Sequence, residues 1–79
     1  MTFSIAILGS TGSIGKSTLK ALKKDKKFKV KLLTTNKNAK KIFKQAIQFK
    51  VKNVIITNKI KYKNYKSLFE KNNIKLYLG

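Results

Sequence analysis

Three of the chain's four glycines, Gly9, Gly12 and Gly15, stand three residues apart in Leu8-Gly9-Ser10-Thr11-Gly12-Ser13-Ile14-Gly15. Such a segment between a strand and a helix can hold a dinucleotide. The first glycine permits a tight turn, the second lets the backbone approach a pyrophosphate, and the third allows helix and strand to pack closely. N–H groups at the helix start, with the positive end of its dipole behind them, then face the phosphates. Ser10, Thr11 and Ser13 add hydroxyl donors. The same stretch continues into Gly15-Lys16-Ser17, the end of a P-loop pattern, which would make the chain a nucleotide-triphosphate-binding fragment. Against that, the first glycine of the pattern would fall on Ser10. Neither later apolar strand ends on the acidic residue that holds Mg²⁺ in such proteins. A glycine-rich turn with no ligand is the remaining, bland alternative.

A dinucleotide fold makes its second contact at the end of strand two, about twenty residues past the glycines, where NAD-binding sites place Asp or Glu. Here the residues are Thr34-Thr35-Asn36-Lys37-Asn38, and no carboxylate lies anywhere between Asp25 and Glu70. A cation flanked by amides suits a 2′-phosphate instead, with Lys37 as its charge partner and Asn36 and Asn38 as hydrogen-bonding groups. The expected ligand is therefore NADPH rather than NADH.

The elements that must position these residues follow from periodicity. Residues 4–8 are an apolar run closed by Gly9, read as a buried strand. Ile14, Thr18, Ala21 and Leu22 then recur at helical spacing, which predicts a helix over 13–24. A second strand is expected over 28–34, with Phe28, Val30 and Leu32 on one face. Asn38 suits an N-cap for a helix over 38–50, whose stripe is Ala39, Ile42, Phe43, Ala46 and Ile47. A third strand is expected at 53–57, and a shorter third helix is marked by Tyr65, Leu68, Phe69 and Asn72. A fourth strand is expected at 74–78. The order β-α-β-α-β-α-β predicts an α/β fold, a Rossmann-like doubly wound parallel sheet that stops after about four strands. In the order 3-2-1-4-5-6 the fourth strand would lie beside the first.

Composition removes most other chemistry. With 79 residues there is room for one small domain, which at this size buries roughly 60–65% of its unfolded surface. There is no Cys and no His, and Asp25 and Glu70 are the only carboxylates. Thiolate or imidazole metal sites and paired-carboxylate catalysis are excluded within this chain, so no catalytic or metal-binding residue is assigned. The net charge of +18 raises a small basic nucleic-acid-binding module as a further alternative. However, all 20 basic residues are Lys and none is Arg, and they are spread along the chain. Lys, Asn, Ile, Phe and Tyr make up more than half of the sequence, the signature of an A/T-rich genome. Lysine then fills solvent-facing positions by drift, and no specific nucleic-acid partner is expected. No apolar run approaches the ~20 residues of a membrane span, and residues 1–5 lack the basic start of a secretory signal. A cytoplasmic location without membrane attachment is the expectation.

Ile7-Leu8-Gly9-Ser10-Thr11-Gly12-Ser13-Ile14-Gly15, with Ser17-Thr18-Leu19 and later Asn36-Lys37-Asn38, closely resembles the start of the 1-deoxy-D-xylulose 5-phosphate reductoisomerase family. The resemblance runs from about Phe3 to Gly79. Aspartate-semialdehyde dehydrogenases carry a similar turn, usually with Ala in place of Ser10 and Val after the second glycine. The resemblance implies NADPH-dependent conversion of 1-deoxy-D-xylulose 5-phosphate to 2-C-methyl-D-erythritol 4-phosphate, in the non-mevalonate route to isoprenoids. It also implies Mg²⁺ or Mn²⁺, a sugar-phosphate substrate and a homodimer in the complete protein. Carried onto this chain, the cofactor contacts are Thr11, Gly12, Ser13 and Ile14 at the phosphates, and Asn36, Lys37 and Asn38 at the adenosine end. Asn36 departs from the glycine that many members carry; Asn tolerates left-handed dihedrals, so the turn can survive. Family members are several times longer, and their metal-binding and substrate residues come later. By this resemblance, residues 1–79 are the N-terminal portion of an NADPH-binding domain, with the catalytic and C-terminal domains absent.

Overall fold

The computed structural model describes residues 3–79. Seven elements alternate along the chain: β1 (Phe3–Ile7), α1 (Ser13–Leu22), β2 (Phe28–Thr35), α2 (Ala39–Phe49), β3 (Asn53–Ile56), α3 (Lys59–Lys71) and β4 (Lys75–Leu78). All strand pairs are parallel, in the order β1-β2-β3-β4. The expected parallel α/β architecture is what the chain forms. The fourth strand, however, lies beside β3 and not beside β1. Residues 57–58 and 72–74 are all that join α3 to its strands, too little to carry the chain back past two strands. A right-handed crossover of that length delivers β4 to the next free edge.

Because all three crossovers step in the same direction, the right-handed rule puts all three helices on one face. The core forms there. Leu33, Val54 and Leu76 are in register across β2, β3 and β4, and Thr35, Ile56 and Leu78 form the next row. Leu19, Ile42, Ala46 and Phe69 are among the buried helix residues that cover them. Phe43 meets Phe69 edge-on, with ring centroids 5.2 Å apart. Rows on the other face, such as Thr34, Ile55 and Tyr77, stay half-wet, and Tyr77 is 45% exposed.

Three further expectations, on strand burial, strand faces and the face of α1, need correcting. Within residues 3–79 β1 lies at one edge of the sheet and only its Ile7 is buried, so the apolar run at 4–8 is not buried throughout. In β2 the register steps from Ile5 opposite Val30 to Ala6 opposite Leu32. That bulge resets the alternation, so Val30 and Leu33 share the inner face while Leu32 turns outward. In α1 the buried positions are Gly15 and Leu19, whereas Ile14 is 83% exposed.

The helix ends have local causes. Asn58 caps α3 by accepting from the Lys61 N–H at 3.0 Å. That signal lies upstream of the apolar stripe, and with it α3 is the longest helix rather than a short one. α2 is closed by Lys50 in the left-handed region, φ 56°, with the Val51 N–H returning to the Ala46 carbonyl at 2.9 Å. No helix among the described residues is long and apolar enough to cross a membrane.

Candidate functional site

The C-terminal ends of β1, β2 and β3 lie side by side on one edge of the sheet, and every sequence-predicted site residue lies there. The chain leaves β1 through Gly9, whose φ of +67° is a left-handed value that few other residues adopt. The end of β2 fixes this turn. Gly9 N–H donates to Thr34 Oγ1 at 2.9 Å, and Ser10 N–H donates to the Thr34 carbonyl at 3.0 Å. Gly15 brings α1 down onto the turn. A Cβ on Gly15 would sit 2.5 Å from the Gly9 carbonyl oxygen and 2.6 Å from Ser10 Cα. Gly12 differs, because a Cβ there would meet only the Gly9 oxygen, at 3.4 Å. The turn can pack with a side chain at Gly12, so no contact within the chain requires its bareness.

The helix start beyond the turn presents hydrogen-bond donors. The N–H groups of Ser13, Ile14 and Gly15 have no backbone acceptor among the described residues, and the first turn of α1 carries no acid. They open on a groove of about 500 Å³ whose lining includes Gly9, Gly12, Ser13, Ile14 and Thr18. Ser10 does not contribute its hydroxyl. It is fully buried, and its carbonyl accepts from Gln45 Nε2 at 2.9 Å.

Residues 36–38 are tied down on both sides. Thr11 Oγ1 and Thr35 Oγ1 share a buried hydrogen bond of 2.7 Å, and Asn38 Nδ2 donates to Thr11 Oγ1 at 3.2 Å. Asn38 therefore sits at the N-cap position of α2 without making a cap bond, because its amide reaches the glycine turn instead. On the other side, Asn36 Oδ1 accepts from Thr57 Oγ1 at 2.8 Å, and the Asn36 carbonyl accepts from Asn58 N–H at 3.0 Å. Asn36 is not among the residues with positive φ, so the turn needs no left-handed residue here. Lys37 stands exposed at the tip between them.

The geometry thus joins Thr11 directly to Asn38 and leaves Gly12, Ser13 and Ile14 open beside them. Asn36 and Lys37 extend the edge toward β3. Thr34, Thr35, Thr57 and Gln45 were missed, since threonines at strand ends read as strand formers and Gln45 as a surface helix residue. Lys16, the lysine of the P-loop alternative, lies against Lys41 of α2. That ammonium–ammonium contact, then Coulomb repulsion, then slight burial, hold the Lys41 pKa below the ordinary lysine value. Folded Lys41 loses its proton more readily than unfolded Lys41. Stability therefore rises as pH climbs through the folded-state pKa toward the ordinary one.

The sequence profile of 1-deoxy-D-xylulose 5-phosphate reductoisomerase matches residues 5–79. The chain belongs to this family. It is 64% identical over 55 residues to the reductoisomerase of Pelagibacter ubique, which covers 68% of this chain and 14% of that protein. With the Bacteroides fragilis reductoisomerase it shares 37% identity over 76 residues, covering 95% of this chain and 20% of the relative. The structure of the Zymomonas mobilis reductoisomerase in complex with NADPH superimposes on the whole chain with a TM-score of 0.91 at 28% identity, over 21% of its own length. A reductoisomerase structure with NADPH, fosmidomycin and magnesium has the same fold, with a TM-score of 0.89 at 24% identity. This reductoisomerase chain thus spans about a fifth or less of the relatives it matches.

Proposed function

We propose that this chain is the N-terminal, NADPH-binding portion of a reductoisomerase. In its complete form the protein converts 1-deoxy-D-xylulose 5-phosphate to 2-C-methyl-D-erythritol 4-phosphate for isoprenoid synthesis. The fit of the whole chain to an NADPH complex of the same family carries this reading. The site agrees with it: Gly12 leaves the backbone open, and the unpaired N–H groups of α1 can meet a pyrophosphate. Thr11, Gly12, Ser13 and Ile14 hold the phosphates, and Asn36, Lys37 and Asn38 hold the adenosine end. The bound cofactor supplies a hydride; the residues here bind and orient its phosphate and adenosine parts. A sugar-phosphate substrate, a homodimer and a cytoplasmic location belong to the same proposal for the complete protein.

The divalent metal does not fit the described residues. Asp25 precedes β2 at the opposite end of the sheet, where its carboxylate accepts from Lys27 N–H. Glu70 sits in the last turn of α3, 3.9 Å from Lys66. Neither reaches the cofactor edge, so no step is routed through a metal here.

Lys37→Ala tests the cofactor choice. Removing a charge-assisted contact to the 2′-phosphate should weaken NADPH by roughly tenfold or more while leaving NADH nearly unchanged. An equal loss for both in calorimetric titrations would show Lys37 to be ordinary surface.

A further inference from the structure

The hydroxyl network between the glycine turn and β2 holds one proton more than it can use. Asn38 Nδ2 donates to Thr11 Oγ1, and Thr11 Oγ1 shares a single hydrogen bond with Thr35 Oγ1. Each threonine carries one hydroxyl proton, and only one of the two lies in that shared bond. The other must point elsewhere. Thr11 is 7% exposed and Thr35 5%, so neither proton is freely solvated. The two arrangements are not equivalent. If Thr11 donates, the leftover proton belongs to Thr35, on the inner sheet face in the same row as Ile56 and Leu78. An unmatched donor there is costly. If Thr35 donates, both acceptor positions of Thr11 are filled, and the Thr11 proton can only point out of the network. Thr11 lies in the glycine turn itself, next to Gly12 and the open start of α1.

We infer that Thr35 is a positioning residue: by donating to Thr11 it makes the Thr11 hydroxyl an obligate donor to a phosphate oxygen of the cofactor. This rests on the NADPH reading above and assigns to Thr35 a role that its place at the end of a strand does not announce. Asn38 acts in the same direction, since its amide fills the other acceptor position and couples the adenosine-end loop to the phosphate turn.

The test compares Thr35→Val, nearly isosteric but without the hydroxyl, with Thr35→Ser, which keeps it. Dissociation constants for NADPH and NADH are read from amide shifts of the isotope-labelled chain, with ³¹P resonances of the bound cofactor and a thermal melt beside them. Thr35→Val should weaken both cofactors alike, by about tenfold, the loss expected for one hydrogen bond to a charged group. The bound pyrophosphate resonances should move in Thr35→Val and stay in place in Thr35→Ser, whose affinity matches the parent. Thr35→Ala, which cannot clash, should show the same loss and serves if Thr35→Val does not fold. Equal affinity of Thr35→Val and parent overturns the assignment while leaving the NADPH reading standing. A loss confined to NADPH also overturns it, because that places the effect at the 2′-phosphate. A folded parent chain that binds neither cofactor removes the NADPH reading and this one with it.

Discussion

Gly12 and Gly15 look alike in sequence and differ in what surrounds them. Gly15→Ala forces a Cβ to 2.5 Å from backbone and should destabilise the fold by about 1–3 kcal/mol, as overpacking does. Gly12→Ala meets nothing closer than 3.4 Å, so its melting temperature should stay near that of the parent while NADPH affinity collapses. Thermal melts and cofactor titrations on the two variants separate the roles; matching stability losses would show that Gly12 is structural too. The position of these glycines was legible because strand, turn and helix each left a pattern. The threonines were not. Thr34 and Thr35 match the β-branched composition of β2, and only the placement of Gly9, Ser10 and Thr11 beside them reveals that their oxygens hold the turn. Ile14 shows the opposite error, an apolar residue at helical spacing that the structure leaves in water at the mouth of the groove.

Elements were easier to find than their faces. Every strand and helix was legible from apolar periodicity, yet the β2 bulge inverted the assignment of Leu32 and Leu33. A one-residue offset in pairing leaves no trace in composition. The end of α2 makes a separate prediction. Lys50 holds φ 56°, a region that disfavours any residue with a Cβ by roughly 1–2 kcal/mol. Lys50→Gly should therefore raise the unfolding free energy by about 1 kcal/mol, since glycine is the preferred residue at such helix ends. Chemical denaturation would check it, and an unchanged midpoint would mean that the lysine stem contributes packing that glycine lacks. Asn73, with φ 59° past α3, should respond less, because Asn already tolerates this region.

At the scale of the whole molecule, a charge of +18 with a single described ion pair opposes compaction. Added salt shortens the reach of that repulsion, the Lys16–Lys41 contact included, so the melting temperature should rise between about 0.01 and 0.3 M NaCl. A flat response would show that the lysines are already far enough apart to ignore one another. The same screening should promote self-association, measurable by light scattering. Within residues 3–79, the outer edge of β1 carries no charged residue and the helix-free face of the sheet is half-wet. Strand order was the one global feature that periodicity could not supply, since it depends on how far each short connection can carry the chain. That order has a bearing on synthesis. Each strand pairs with the strand translated just before it, so every β-α-β unit can close as soon as its last residues leave the ribosome. Within residues 3–79 the partner of each later strand is already made when that strand emerges, and each closure spans only one helix and its turns. Growth of the nascent chain through these four strands would thus extend the sheet in one direction, away from the glycine turn, which is assembled first.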